Sequence, residues 1–246
     1  MFKKLLASVG IGAAKVDTLI LSEHLVPGGV LKIEIQIAGG DVAQTINGLD
    51  LRLMTMAEVE HQDGESQQAL QLHHWHLDET FIIGEGEQLS DQFELTLPLE
   101  TPLTALNCRR NQTQVWLETG LDIAQGLDGR DRDALRIGPT REMVTVLEAV
   151  AECGFSLYSA DVEKGQLRGP DFASSVGCYQ ELEFRPAGFG SVRFKEVEVS
   201  FVAQHGITHV MLEVDRRFGG DALRCFSVPD GESPQRIDAE VRRILG

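Results

Sequence analysis

The feature that most constrains this chain is the recurrence of short segments in which aliphatic and polar residues alternate one for one. Leu31, Ile33, Ile35 and Ile37 alternate with Lys32, Glu34 and Gln36, the pattern of a strand with one buried face and one wet face. Leu49, Leu51 and Leu53 continue it after Asn47-Gly48, a dipeptide suited to a tight turn, and Phe93, Leu95 and Leu97 repeat it before Pro98. Val115, Leu117 and Thr119 share one face, with Trp116 on the other. No alternation of strands with helices suggests a parallel sheet. The rhythm is that of an all-β, antiparallel sandwich.

Helical spacing appears at three places. Thr140, just past Pro139, can cap a short helix whose apolar stripe is Met143, Val146, Leu147 and Val150, ending near Gly154. This is a hinge-like element, so the chain divides into domains 1–138 and 139–246. Strand patterns resume over 155–162, 180–184, 192–202 and 207–214. The run from Pro234 places Ile237, Val241, Ile244 and Leu245 on one face of a C-terminal amphipathic helix. At the N-terminus, Phe2, Leu5, Leu6 and Val9 share a helical face beside Lys3 and Lys4. Two lysines before an apolar stretch imitate a signal peptide, but Gly10 and Gly12 dilute the stretch, and it is too short to cross a bilayer as a helix.

The net charge of −16 over 246 residues repels phosphate backbones and anionic headgroups. Nucleic acid is therefore not an expected partner, and membrane contact is at most weak and peripheral. Cys108, Cys153, Cys178 and Cys225 are scattered with no CxxC pair, which supports reduced thiols rather than a zinc ribbon or redox centre.

The most chemically suggestive cluster is His73, His74 and His76, with His61 upstream. On a strand, His74 and His76 project from one face and could share a metal, with Asp78 or Glu79 nearby. A solvated face is the plainer expectation, so neither a metal nor any other cofactor is expected. Gly10 to Lys15 lacks the strand-loop-helix order and the Gly-Lys-Ser/Thr of a phosphate loop. Asp122, Asp128, Asp131 and Asp133, with Arg130 and Arg132, read as an exposed, self-neutralised turn joining two strands. There is no G-x-S-x-G elbow or Cys–His signature. A non-enzymatic protein is expected.

Two runs carry a family resemblance: Phe2 to Thr18, and Val115-Trp116-Leu117-Glu118-Thr119-Gly120-Leu121-Asp122-Ile123-Ala124, closed by Gly129-Arg130-Asp131-Arg132-Asp133. Gly39-Gly40-Asp41-Val42 and Leu212-Glu213-Val214-Asp215-Arg216-Arg217 add weaker anchors. Together they resemble the bacterial sporulation-control protein family, an arrestin-like group. The resemblance implies a cytoplasmic protein of two tandem arrestin-like β-sandwich domains that regulates development, stress or the cell cycle by binding a protein partner. Arrestin-like proteins hold their domains with buried ion pairs, and Asp131, Arg132, Asp133, Asp215, Arg216 and Arg217 are the places to look for one. Phe2, Lys3, Lys4, Leu5, Leu6 and Val9 form a candidate interaction segment. Sandwich edges offer a second route to partners, a homodimer included. The competing readings are a metal-binding hydrolase or sensor using His74 and His76, and a membrane-peripheral scaffold.

Overall fold

The computed structural model describes residues 12–61, 64–124, 129–187, 194–217, 220 and 222–246. The candidate segment Phe2 to Val9 lies outside them. The described residues form strands β1 (Lys15–Ile20), β2 (Val30–Ala38), β3 (Gln44–His61), β4 (Gly64–Leu77), β5 (Phe81–Ile83), β6 (Gln88–Thr96), β7 (Arg110–Asn111), β8 (Val115–Ile123) and β9 (Arg130–Ala134). Helix α1 (Arg141–Glu152) follows. Then come β10 (Phe155–Lys164), β11 (Cys178–Pro186), β12 (Phe194–Gln204), β13 (Ile207–Arg216), β14 (Ala222–Pro229) and helix α2 (Pro234–Leu245).

Strands β1, β2 and β6 make a small antiparallel sheet in the order β1-β2-β6. The other eleven form one large sheet, β14-β13-β12-β11-β10-β3-β8-β9, with β4 and β5 paired to β3 and β7 to β10. Alternation dictates the packing of the first half. Leu31, Ile33 and Ile35 from β2, and Leu51, Leu53 and Leu117 from β3 and β8, are all buried in one continuous core. Between the sheets Thr18 donates through its hydroxyl to that of Thr119 at 2.7 Å, which satisfies two buried polar groups together. In the second half β10 to β14 turn one apolar face inward. Helices α1 and α2 pack on each other and lie against β10 and β14. The all-β, arrestin-like expectation describes this architecture.

Asn47-Gly48 does not turn the chain. Strand β3 runs straight through it with a register shift against β8 between Ile46 and Gly48, so the dipeptide marks a bulge. The buried alternation of Ile46, Leu49, Leu51 and Leu53 needs sheet neighbours on both sides. The chain reverses instead between β3 and β4, whose antiparallel register ends at His61 with Gly64. Gly40 is a close approach: a Cβ there would sit 1.9 Å from the Gly12 carbonyl oxygen.

Thr140 caps α1, its hydroxyl accepting from the Met143 amide at 3.3 Å. Thr140→Ala should cost about 1 kcal/mol in urea unfolding, while Thr140→Ser should retain most of it.

The two halves of the large sheet meet at one parallel residue pair, Glu163 with Glu58. A short parallel contact of Arg110 and Asn111 with Ser159 and Ala160 lies beside it. The chain itself crosses at Gly138, whose amide donates to the Leu25 carbonyl at 2.8 Å.

Candidate functional site

Five strands carry the same triplet, a carboxylate on each side of one aliphatic residue. They are Glu58-Val59-Glu60 in β3, Asp161-Val162-Glu163 in β10, Glu181-Leu182-Glu183 in β11, Glu196-Val197-Glu198 in β12 and Glu213-Val214-Asp215 in β13. Strand geometry sends the middle residue and its flanks to opposite faces. Val162, Leu182, Val197 and Val214 are buried in the core, so the acids line the other face. These five strands are consecutive in the sheet, and register sets the acids side by side. Glu58 faces Glu163, Asp161 faces Glu181, Glu183 faces Glu198, and Glu198 faces Glu213. A row of carboxylates thus crosses the seam between the halves. Glu65 of β4 adds its charge to those on Asp161 and Glu163.

The ends of the row are partly neutralised. Arg185 pairs with Glu183, and Lys195 pairs with Glu196 and with Asp215 at 2.6 Å. Among the described residues the central members, Glu58, Asp161, Glu163, Glu181 and Glu198, have no lysine or arginine partner. Burial first, and neighbouring acids second, make ionisation costly at Asp161, Glu163, Glu181 and Glu198. Asp161 is pushed up to about 6 and Glu163 to about 7. Glu198 rises to about 7, with Glu213 its strongest neighbour. Glu181 rises to about 8, with Glu198 its strongest neighbour.

A neutral side chain bolts the seam. Gln180 of β11 accepts from the Leu103 amide at 2.9 Å and donates to the Leu103 carbonyl at 2.8 Å and the Thr113 hydroxyl at 2.8 Å. Its amide therefore imitates a strand residue against the segment that precedes β7. Glu100 adds contacts to the Ser175 amide and hydroxyl.

Of the residues expected to hold the domains by an ion pair, Asp131, Arg132 and Asp215 take other partners. Arg130–Ala134 is strand β9, paired along β8, rather than a free turn. Asp131 accepts from the Thr18 amide at 2.7 Å, and Arg132 lies 3.8 Å over the Trp116 ring. Burial, then the Asp131 carboxyl, pushes Asp133 up to about 7, and one of its oxygens is buried without a hydrogen bond. Asp215 pairs with Lys195 inside the second half. Arg216 buries its Nε without a hydrogen-bond partner, and Arg217 is exposed. Strands β9 and β13 stand near opposite ends of the sheet order.

His74 and His76 do share a face, and the structure adds a residue that spacing could not reveal. Asp50 of β3 faces His76, and Arg52 faces His74. One Asp50 oxygen lies 2.6 Å from His74 Nε2 and 3.0 Å from His76 Nδ1. Asp78 takes the other nitrogen of His76 at 2.9 Å. Burial raises the Asp50 carboxyl, but hydrogen bonds from His74 and His76 outweigh it and hold the group below its usual range. His73 turns away and stacks edge-on to Trp75, while His61 bonds to Ser66. All four cysteines are free thiols, Cys178 the most buried. Among the described residues no helix is long and apolar enough to cross a membrane.

The family model described as SpoOM protein matches residues 2–218. The sporulation-control protein spo0M of Bacillus subtilis (strain 168) is 35% identical over 220 residues, covering 89% of this chain and 82% of that protein. The crystal structure of Spo0M from Bacillus subtilis superposes with a TM-score of 0.83 at 29% identity, over 96% of this chain and 98% of that one.

Proposed function

Since the chain belongs to the SpoOM protein family of sporulation-control proteins, we propose that it is a non-enzymatic, cytoplasmic regulator that captures an extended, basic segment of a partner protein along β4. The observation that carries this reading is the free edge of that strand. Over residues 64–77, β4 is hydrogen-bonded to β3 on one side, and its outer edge has no strand partner among the described residues. Such an edge offers a line of main-chain donors and acceptors to an incoming strand. The carboxylate row supplies the choice of partner. It begins beside the Glu65 end of β4, where lysine or arginine side chains of the added strand would meet acids that lack cations of their own.

The test is a photo-crosslinking residue placed at exposed Gln71, or at Arg243 on α2 as a control, in the native host. Capture of one partner protein from Gln71, absent from Arg243 and lost in Glu58→Lys/Glu65→Lys with circular dichroism unchanged, is the expected result. Equal capture from both positions, or capture indifferent to the charge reversal, would overturn the reading. A crosslink to a second copy of this chain would replace it with a homodimer edge.

A further inference from the structure

We propose that Asp50, His74 and His76 form a binding site for a single divalent transition-metal ion of the zinc class. The three side chains converge on the outer face of the β3–β4 pair, and one ligand atom from each lies within 4.8 Å of the others. The ligand set is two neutral imidazoles and one carboxylate, with a fourth position left for water, the composition of open zinc sites.

Hydrogen-bond bookkeeping at His76 supports a cation there. Its Nε2 faces the Asp78 carboxylate and its Nδ1 faces the Asp50 carboxylate. Without a metal, an imidazolium with both ring nitrogens protonated donates to the two carboxylates. A metal between Nδ1 and Asp50 would take the place of the Nδ1 proton and leave Nε2–H donating to Asp78. This is the outer carboxylate–histidine arrangement that fixes the tautomer of metal-bound histidines. Arg52, 3.8 Å from the second Asp50 oxygen, leaves the first oxygen to act alone.

The metal needs modest movement. Bonds of about 2.0–2.2 Å in a tetrahedron set ligand atoms about 3.3 Å apart, against the 2.6 and 3.0 Å separations from Asp50. Two neighbours without side chains leave room for it. A Cβ at Gly48 would lie 3.4 Å from the His76 ring, and one at Gly120 would lie 3.9 Å from Asp50.

The experiment is calorimetric titration of the full, chelator-stripped chain with Zn2+, repeated with Co2+ to read the ligand-field spectrum. The expected result is one saturable site and a tetrahedral Co2+ spectrum. Affinity should fall at least tenfold in His74→Ala and in His76→Ala, and by about tenfold in Asp78→Asn. His73→Ala, whose ring packs on Trp75, should bind as the parent does. Both target histidines are exposed, so unchanged melting of the metal-free variants separates lost ligation from lost fold. Absence of a saturable site would overturn the assignment. So would binding that survives both histidine variants, including a site lost only in Glu181→Gln, which would place the ion on the carboxylate row.

Discussion

Glu181→Gln should stabilise the protein at pH 8 by about 2 kcal/mol and change it by less than about 0.5 kcal/mol at pH 5. The sign follows from the direction of the shift. Burial, then Glu198, raises the Glu181 carboxyl from 4.5 to about 8. The native state therefore keeps a proton there that the unfolded chain releases above about pH 4.5. Stability linked to such a group is complete at low pH and is lost as pH rises through the folded value. Glutamine keeps the shape of the protonated acid at every pH and has no proton to release in the unfolded chain. Its advantage therefore grows as pH rises from about 4.5 towards the folded value of about 8. The full shift would correspond to more than 4 kcal/mol; sharing of the repulsion along the row and residual solvent reduce it to the figure given. The parent protein should be less stable at pH 8 than at pH 5, because Asp161, Glu163, Glu198 and Asp133 are displaced in the same direction. Urea titrations of parent and variant at the two pH values measure both effects. A difference that does not change with pH would refute the account of the row.

Gln180→Ala should cost about 3 kcal/mol. Three hydrogen bonds disappear, and buried Leu103 and Thr113 are left with groups that no longer have this partner. Leaving a buried donor or acceptor unmatched costs about 1–3 kcal/mol each, with partial relief where water enters the seam. Gln180→Glu should do no better. It can still accept from the Leu103 amide but cannot donate, and it sets another carboxylate next to Glu181. Hydrogen exchange at the Leu103 amide supplies the local readout, with faster exchange expected in both variants. Unchanged exchange there, with only a general loss of stability, would mean that the bolt does not set the geometry of the seam.

Much of the fold was legible because half-buried strands write their burial into the chain at period two. Ile33, Ile35, Leu51, Leu53 and Leu117 could be assigned inward from sequence, as could the Thr140 cap and both helices. Strand β14 was not, since Ala222 to Pro229 buries only Val228 and so has no clean alternation. Arg130 to Ala134 looked like a turn because charged residues fill it. Its acids and bases are spent locally, on Thr18 and Trp116, which proximity in sequence does not reveal. The functional residues divide in the same way. His74 and His76 are two apart and fall on one face by strand geometry alone, but Asp50 meets them only through the β3–β4 register. The five carboxylate triplets stood in the sequence as a repeated acid-aliphatic-acid pattern. Their adjacency depends on strand order, which the pattern does not encode.

The contact of Gln180 with Leu103 and Thr113 is made between dipoles, with no formal charge on any of the three groups. Dissolved ions screen charges strongly and amide hydrogen bonds hardly at all. This contact is thereby insulated from changes in ionic strength, whereas attraction of cations to the neighbouring carboxylates weakens as salt rises. The fold at this contact should therefore tolerate salt that weakens cation binding at the carboxylates beside it.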